Sequence, residues 1–141
     1  MINLSINFSP KALANLEAKV AQIKTKQLEI MQNLASEMEK ELKEKLSSPV
    51  DVSAGNVLRS LPGEPPRKES GQLRQSIEAA LTAQTSQSGS QATIKAGCLN
   101  TTLPYAFFLE YGTQSIMPRP FLLPTLAKYS EQIAKEFKEA L

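Results

Sequence analysis

The chain contains no histidine and no tryptophan, and it has a single cysteine. Without an imidazole it lacks the commonest general base, the usual metal ligand and every Ser–His or Cys–His dyad. One thiol cannot staple a chain internally or build a cysteine zinc site. Cys98, in a strand-like run, reads as a packing residue, and a lone cysteine fits a reducing cytoplasm. The six glycines are scattered and form no phosphate-binding loop. No apolar run approaches the roughly 20 residues a membrane helix needs. The opening Met1-Ile2-Asn3-Leu4-Ser5 has neither a basic region nor an apolar block, so no signal peptide is expected. The acidic residues are dispersed over helix surfaces, with no Asp-x-Asp cluster to hold a cation. The expectation is a protein that is not an enzyme and uses no cofactor and no metal.

With 141 residues, 41% of them apolar, the chain is long enough for one modest core, and a single domain over 1–141 is expected. The net charge of +2 is too small to signal nucleic-acid binding by itself. Its distribution is more informative. Lys11 to Lys45 holds seven Lys and six Glu, nearly balanced, whereas Arg59, Arg67, Lys68 and Arg74 face only Glu64 and Glu69 in the segment between Arg59 and Arg74.

Strict alternation over residues 2–8 predicts a half-buried strand. Ser9-Pro10 reads as an N-cap and first helical residue. A helix then runs to Leu46 with no Gly or Pro inside it. Its apolar stripe is Leu13, Leu16, Val20 and Ile23, then Ile30 (or Met31), Leu34, Met38, Leu42 and Leu46, with one change of phase near Gln27. Such a rod, about 54 Å long, exceeds what a domain of this size covers by itself. Its charged second half, Ser36 to Lys45, leaves a narrow Met/Leu stripe that either flanks a solvated face or contacts another subunit. Residues 47–69, rich in Pro and Gly, read as a long flexible loop. A short helix capped by Ser70, with Leu73 and Ile77 on one face, comes next. Strands over 78–84 and 91–98 make a hairpin around the polar tract Thr85 to Ser90. Tyr105 to Tyr111 forms a short helix between Pro104 and Gly112. The closing helix starts at Pro120 or Pro124, the second being favoured, and carries Leu122, Leu126, Tyr129, Ile133, Phe137 and Leu141 on one face. The fold class is therefore α+β: a small, mainly antiparallel sheet, from the N-terminal strand and the hairpin, covered by a long N-terminal helix, short helices and a C-terminal helix.

Two segments carry motifs. One is Gly63-Glu64-Pro65-Pro66-Arg67-Lys68-Glu69-Ser70-Gly71-Gln72-Leu73-Arg74-Gln75-Ser76-Ile77. The other is Tyr105-Ala106-Phe107-Phe108-Leu109-Glu110-Tyr111-Gly112-Thr113, followed by Arg119-Pro120-Phe121-Leu122 and Pro124. In order and spacing they resemble the family typified by gene product ten of phage HK-ninety-seven, the tail-component proteins of long-tailed bacteriophages, also described as neck, tail-completion or head–tail connector proteins. The match covers residues 63–126, and the long first helix and closing helix also fit. The resemblance implies a structural virion protein in the neck or tail, made in the host bacterial cytoplasm. It would work as a homo-oligomeric ring of about six or twelve copies, bound to other phage neck and tail proteins, with no membrane and no cofactor.

The interface and structural candidates are Tyr105, Phe107, Phe108, Glu110, Tyr111, Gly112, Arg119, Pro120 and Phe121. Gly112 reads as a helix stop with positive φ. Phe107 and Phe108 are adjacent and cannot share one helix face, so either one meets a neighbouring subunit or the helix is buried on two sides. Glu110 is expected to pair with Arg119 or Arg74 and pin the turn against the short helix. The basic segment gives a rival reading. Arg59, Arg67, Lys68 and Arg74 would touch packaged DNA non-specifically, through phosphate contacts alone, or make the chain a cytoplasmic DNA-associated packaging accessory or binding module.

Overall fold

A helix of 36 residues, α1 (Pro10–Lys45), dominates the computed structural model, which describes residues 9–49, 51–53, 56–58, 60–86, 89–98 and 103–140. The strand expected over 2–8, Arg59 and Leu141 lie outside the described residues. Ser9 caps α1, its hydroxyl accepting the Ala12 N–H at 3.3 Å, and Pro10 takes the first helical position, where its missing donor costs nothing.

After α1 the chain forms a small antiparallel hairpin, β1 (Asp51–Ser53) with β2 (Asn56–Leu58). The segment expected as loop over 47–69 therefore contains paired strands. It is also tied back to the start of the segment by the Lys68 N–H, which donates to the Ser48 carbonyl at 2.7 Å. A single helical turn, α2 (Gln72–Ser76), leads directly into β3 (Ile77–Ser86), which pairs with β4 (Gly89–Cys98) in a ten-rung ladder from Ile77↔Cys98 to Ser86↔Gly89. Ile77 is thus the first strand residue and not the end of the helix face. Ser70 does accept the Gln72 N–H, as a cap would, although Gly71 holds the capping position. Two helices complete the α+β fold, α3 (Pro104–Tyr111) and α4 (Leu122–Ala140).

The core forms where the second half of α1 meets this hairpin and α4. Leu34, Met38, Leu42, Leu46, Ile77, Phe121 and Tyr129 are all buried, with Ala79, Ile94, Ala96 and Cys98 packed against them. The partners Ala79↔Ala96 and Ile77↔Cys98 lie on the same face of the ladder, as the two-residue period of strands requires. The narrow stripe in the charged half of α1 is therefore the intramolecular core, which removes it as a subunit contact. Glu39 reaches across from α1 to accept the Ala79 N–H at 3.1 Å while binding Lys43 at 2.6 Å. Those bonds, the one from Lys43 foremost, hold its carboxyl below the ordinary value.

The α1–α4 contact has a direction. Lys45 donates to the Thr125 hydroxyl near the start of α4, and Lys26 and Ile30 share a cleft with Gln132, Lys135 and Glu139 further along, so the two helices run antiparallel. Glu41 binds Lys45 at 2.9 Å and also Lys128 of α4. The hydrogen bond from Lys128, chiefly, holds its carboxyl at about 2; burial opposes this, and Lys45 and Tyr129 reinforce it. A folded value below the unfolded one stabilises the protein above the unfolded carboxylate range, with the gain lost as the pH falls through the folded value. Lys128 is largely exposed, so solvent screening reduces the effect. Glu41→Gln is expected to cost about 1 kcal/mol at neutral pH, with the difference from the unaltered chain closing as the pH falls from 4.5 toward about 2. Urea titrations across that range measure it, and a cost independent of pH would contradict the assignment.

The N-terminal half of α1 behaves differently. Every residue from Ser9 to Lys26 is exposed, including Leu13, Leu16, Val20 and Ile23 on their three- and four-residue spacing. About 24 Å of helix thus carries an apolar stripe that no described part of the chain covers.

Candidate functional site

The two motif segments meet in space. α3 begins at Pro104 and ends at Gly112, whose N–H still bonds the Phe108 carbonyl at 2.9 Å. The backbone then turns at Gly112, at φ 75° and ψ −179°. Thr113 organises the turn: its hydroxyl accepts the N–H groups of Ser115 and Ile116 at 3.2 and 3.1 Å, and its own N–H donates to the Ile116 carbonyl at 2.8 Å. The chain returns alongside α3, where the Arg119 N–H donates to the Leu109 carbonyl at 2.7 Å. The Pro118 carbonyl accepts the Gly63 N–H at 3.0 Å, which joins this turn to the other motif segment.

Glu110 is the hinge pin of this arrangement. It is buried, at 6% exposure, and its carboxylate accepts three backbone donors: Phe121 at 2.9 Å, Leu122 at 3.0 Å and Leu123 at 2.8 Å. These are the free N–H groups at the start of α4, and the next residue, Pro124, has none. A carboxylate there satisfies the orphan donors and complements the positive end of the helix. Glu110 is therefore a cap supplied from another helix. Among the described residues no ion pair joins it to Arg119 or Arg74, so the expected pairing is replaced by capping. Neither Pro120 nor Phe121 can cap a helix with its side chain, but nothing local in the sequence points to Glu110 as the substitute. Helix α4 starts at Leu122, two residues ahead of Pro124, since a proline within the first turn breaks no hydrogen bond.

The other faces of α3 point outward. Phe107 and Phe108 are 60% and 47% exposed, so the doubly buried alternative does not hold. Phe107 packs on Tyr111 with ring centroids 4.7 Å apart, and both rings remain open to solvent. Tyr105 and Phe108 lie on a separate face and wall a groove of about 400 Å³, in the size range of ligand sites, against the second motif segment. Four cations line it, Arg67, Lys68, Arg74 and Arg119, against one acid, Glu69. The Nε of Arg74 donates to the Ser47 hydroxyl at 2.8 Å and to the Lys43 carbonyl at 3.3 Å, which anchors it to the end of α1. Tyr105 has its phenol pushed above the ordinary value by burial, with Cys98 adding to the shift. Two buried polar atoms in the groove wall, the Ser60 hydroxyl and the Arg119 Nε, have no hydrogen-bond partner. Buried polar groups are normally paired, and each one left unpaired costs about 1–3 kcal/mol.

The candidate residues thus separate into three sets. Tyr105, Phe108, Arg67, Lys68, Arg74 and Arg119 surround one groove; Phe107 and Tyr111 form a separate exposed aromatic pair; Glu110, Gly112, Pro120 and Phe121 hold α3 to α4. Ser60 and Ile116 belong to the groove without having been singled out in the sequence, because neither stands in a motif. Among the described residues no cluster of His, Cys, Asp or Glu could hold a metal ion, and no helix is long and apolar enough to cross a membrane. Comparison with protein-family models, with curated proteins and with solved structures gives no match.

Proposed function

We propose that the chain is a non-enzymatic structural component of a tailed phage or prophage virion, acting in the neck or tail-completion region as one subunit of a ring that joins head to tail or completes the tail. The observation that carries the assembly half of this reading is the uncovered apolar stripe of α1, with Leu13, Leu16, Val20 and Ile23 exposed. A monomer gains nothing from such a stripe, whereas a neighbouring helix would bury it on a coiled-coil-like spacing. The exposed Phe107–Tyr111 pair offers a second contact surface of the aromatic kind enriched at interfaces. The virion half is supported by the order of the motifs. The residues that carry the resemblance, Gly112, Thr113, Arg119 and Pro120 with Glu110, form one rigid connection that orients α3 against α4, which is work suited to building a fixed interface.

The test is made on particles. Virions purified from a strain carrying the gene are expected to contain the chain, and disruption of the gene to yield filled heads and unattached tails. Fully infectious particles without the chain would reject the reading. A paired substitution, Leu16→Glu with Val20→Glu, is expected to change the stability of the isolated chain by less than about 0.5 kcal/mol, as surface changes do, while preventing its incorporation into particles. Normal incorporation of that variant would remove the stripe as an interface.

A further inference from the structure

We infer that the groove between α2, α3 and the turn after Gly112 is a docking site for an acidic peptide segment of a partner protein, one that carries a carboxylate beside an aromatic or aliphatic side chain. The inference is independent of which assembly the chain belongs to, so it stands or fails apart from the virion reading.

Charge complementarity selects the carboxylate. Arg67, Lys68, Arg74 and Arg119 converge on a concave site that contains a single acid, Glu69. The unpaired polar atoms say where it would be held. Ser60 is 4% exposed, lines the groove, and its hydroxyl has no partner. Arg119 lines the same groove, and its Nε, buried behind that lining, has no hydrogen-bond partner among the described residues. A guanidinium binds a carboxylate edge-on through two parallel N–H bonds, and Nε–H is one of the donors of that fork. A carboxylate entering the groove would draw the Arg119 fork toward it and give the Ser60 hydroxyl an acceptor, so the two unpaired groups would be satisfied together. Much of the remaining lining is apolar: Tyr105, Phe108, Leu109 and Ile116 give an adjoining side chain a surface to cover. That mixed lining favours a peptide over a nucleic acid. Duplex DNA held through its phosphates alone would leave the apolar part of the lining uncovered. Extended peptides that use alternate side chains for a pocket and for charge are an established mode of recognition.

The probe is a fluorescein-labelled peptide containing the run Glu-Phe-Glu-Leu, set against the same peptide with Gln in place of both Glu, each titrated into the full chain and followed by anisotropy. The acidic peptide is expected to bind at least about tenfold more tightly than its amide twin, with the difference shrinking as salt rises and screening shortens. In a parallel ¹⁵N spectrum the Arg119 Nε–H resonance, assigned by its loss in Arg119→Lys, is expected to move downfield on addition of the acidic peptide only. Arg119→Met and Ser60→Ala, checked for native circular dichroism, are each expected to lower the affinity for the acidic peptide by about fivefold or more. Equal binding of the two peptides to the unaltered chain, or no binding of either, would overturn the proposal without reference to any variant. So would generic duplex DNA that displaces the acidic peptide and shifts the Arg119 resonance itself, since the groove would then be a phosphate site.

Discussion

Replacing Glu110 with Ala is expected to destabilise the protein by about 3 kcal/mol, and replacing it with Gln by about 2 kcal/mol. Ordinary helix caps contribute less because they satisfy one or two donors at the surface. Here one buried carboxylate serves the three N–H groups of Phe121, Leu122 and Leu123. Alanine strands all three beside the core residue Phe121, which is 3% exposed. Glutamine keeps one carbonyl oxygen and loses both the charge and the second acceptor, so it rescues part of the loss. Glu110→Asp is the sharper control: it retains the charge, but its side chain is one methylene shorter and cannot reach the same donors without moving α3. It should therefore fall near the glutamine variant. Urea unfolding followed by circular dichroism gives the stabilities, and amide exchange locates the loss, with Leu122 and Leu123 exchanging faster while the hairpin β3–β4 is unaffected. A change below about 0.5 kcal/mol for the alanine variant would show that solvent can replace the cap.

The extent of the fold legible in the sequence follows from which interactions are local. Helix α1 was readable to the residue at its start because Ser9 and Pro10 act within one turn. The hairpin β3–β4 was readable because its two strands are neighbours in the chain, but the ladder runs on through Thr85↔Ser90 and Ser86↔Gly89 into the polar tract expected as its turn. The start of α4 was not, because its cap is eleven residues away on another helix. Nor was the allocation of the α1 stripe. Periodicity shows that a face is apolar but not what covers it, and the stripe in the charged half read equally as flanking a solvated face or as a subunit contact. The structure places β3, β4 and α4 on that half, and no described residue packs over the exposed stripe of the less charged half. In the candidate site, aromatic and basic residues could each be identified, but the groove they share depends on the Gly63–Pro118 and Arg119–Leu109 backbone bonds, which no local pattern encodes.

The two ends of α1 therefore have different work. The C-terminal half is the floor of the domain, fixed by Met38, Leu42 and Ile77 with almost no solvent exposure. The N-terminal half continues the same helix, with no Gly or Pro between Lys11 and Lys45, and carries the exposed stripe. The groove and the Phe107–Tyr111 pair lie on the opposite chain segment, carried by α3. The Glu110 cap, which ties α3 to α4, fixes the position of α3 and its exposed aromatic residues relative to the α1–α4 core.

Gly112→Ala is expected to be the most damaging single substitution in the turn, at about 4 kcal/mol. Two effects add. At φ 75° and ψ −179° the backbone lies in a region that only glycine occupies readily. A Cβ there would also stand 2.8 Å from the Ile116 carbonyl oxygen and 2.9 Å from both the nitrogen and Cδ of Pro118. None of these atoms can yield cheaply. The Ile116 carbonyl is held by the Thr113 N–H, and Pro118 sits in a ring whose own carbonyl is held by Gly63. Relief therefore requires the turn to open, which withdraws the Arg119 N–H from Leu109 and draws Phe121 away from Glu110. Gly63 is the comparison without the steric clash. It too has positive φ, at 86°, and it is bonded to the same turn, but a Cβ on it meets nothing within 4 Å. Gly63→Ala carries the conformational penalty alone and is expected to cost about 1 kcal/mol. Urea unfolding of the two variants beside the unaltered chain measures the gap of about 3 kcal/mol that steric confinement and the more restricted backbone of Gly112 contribute together. If both substitutions cost the same, Gly112 is an ordinary helix stop, and the turn it begins is looser than the three contacts imply.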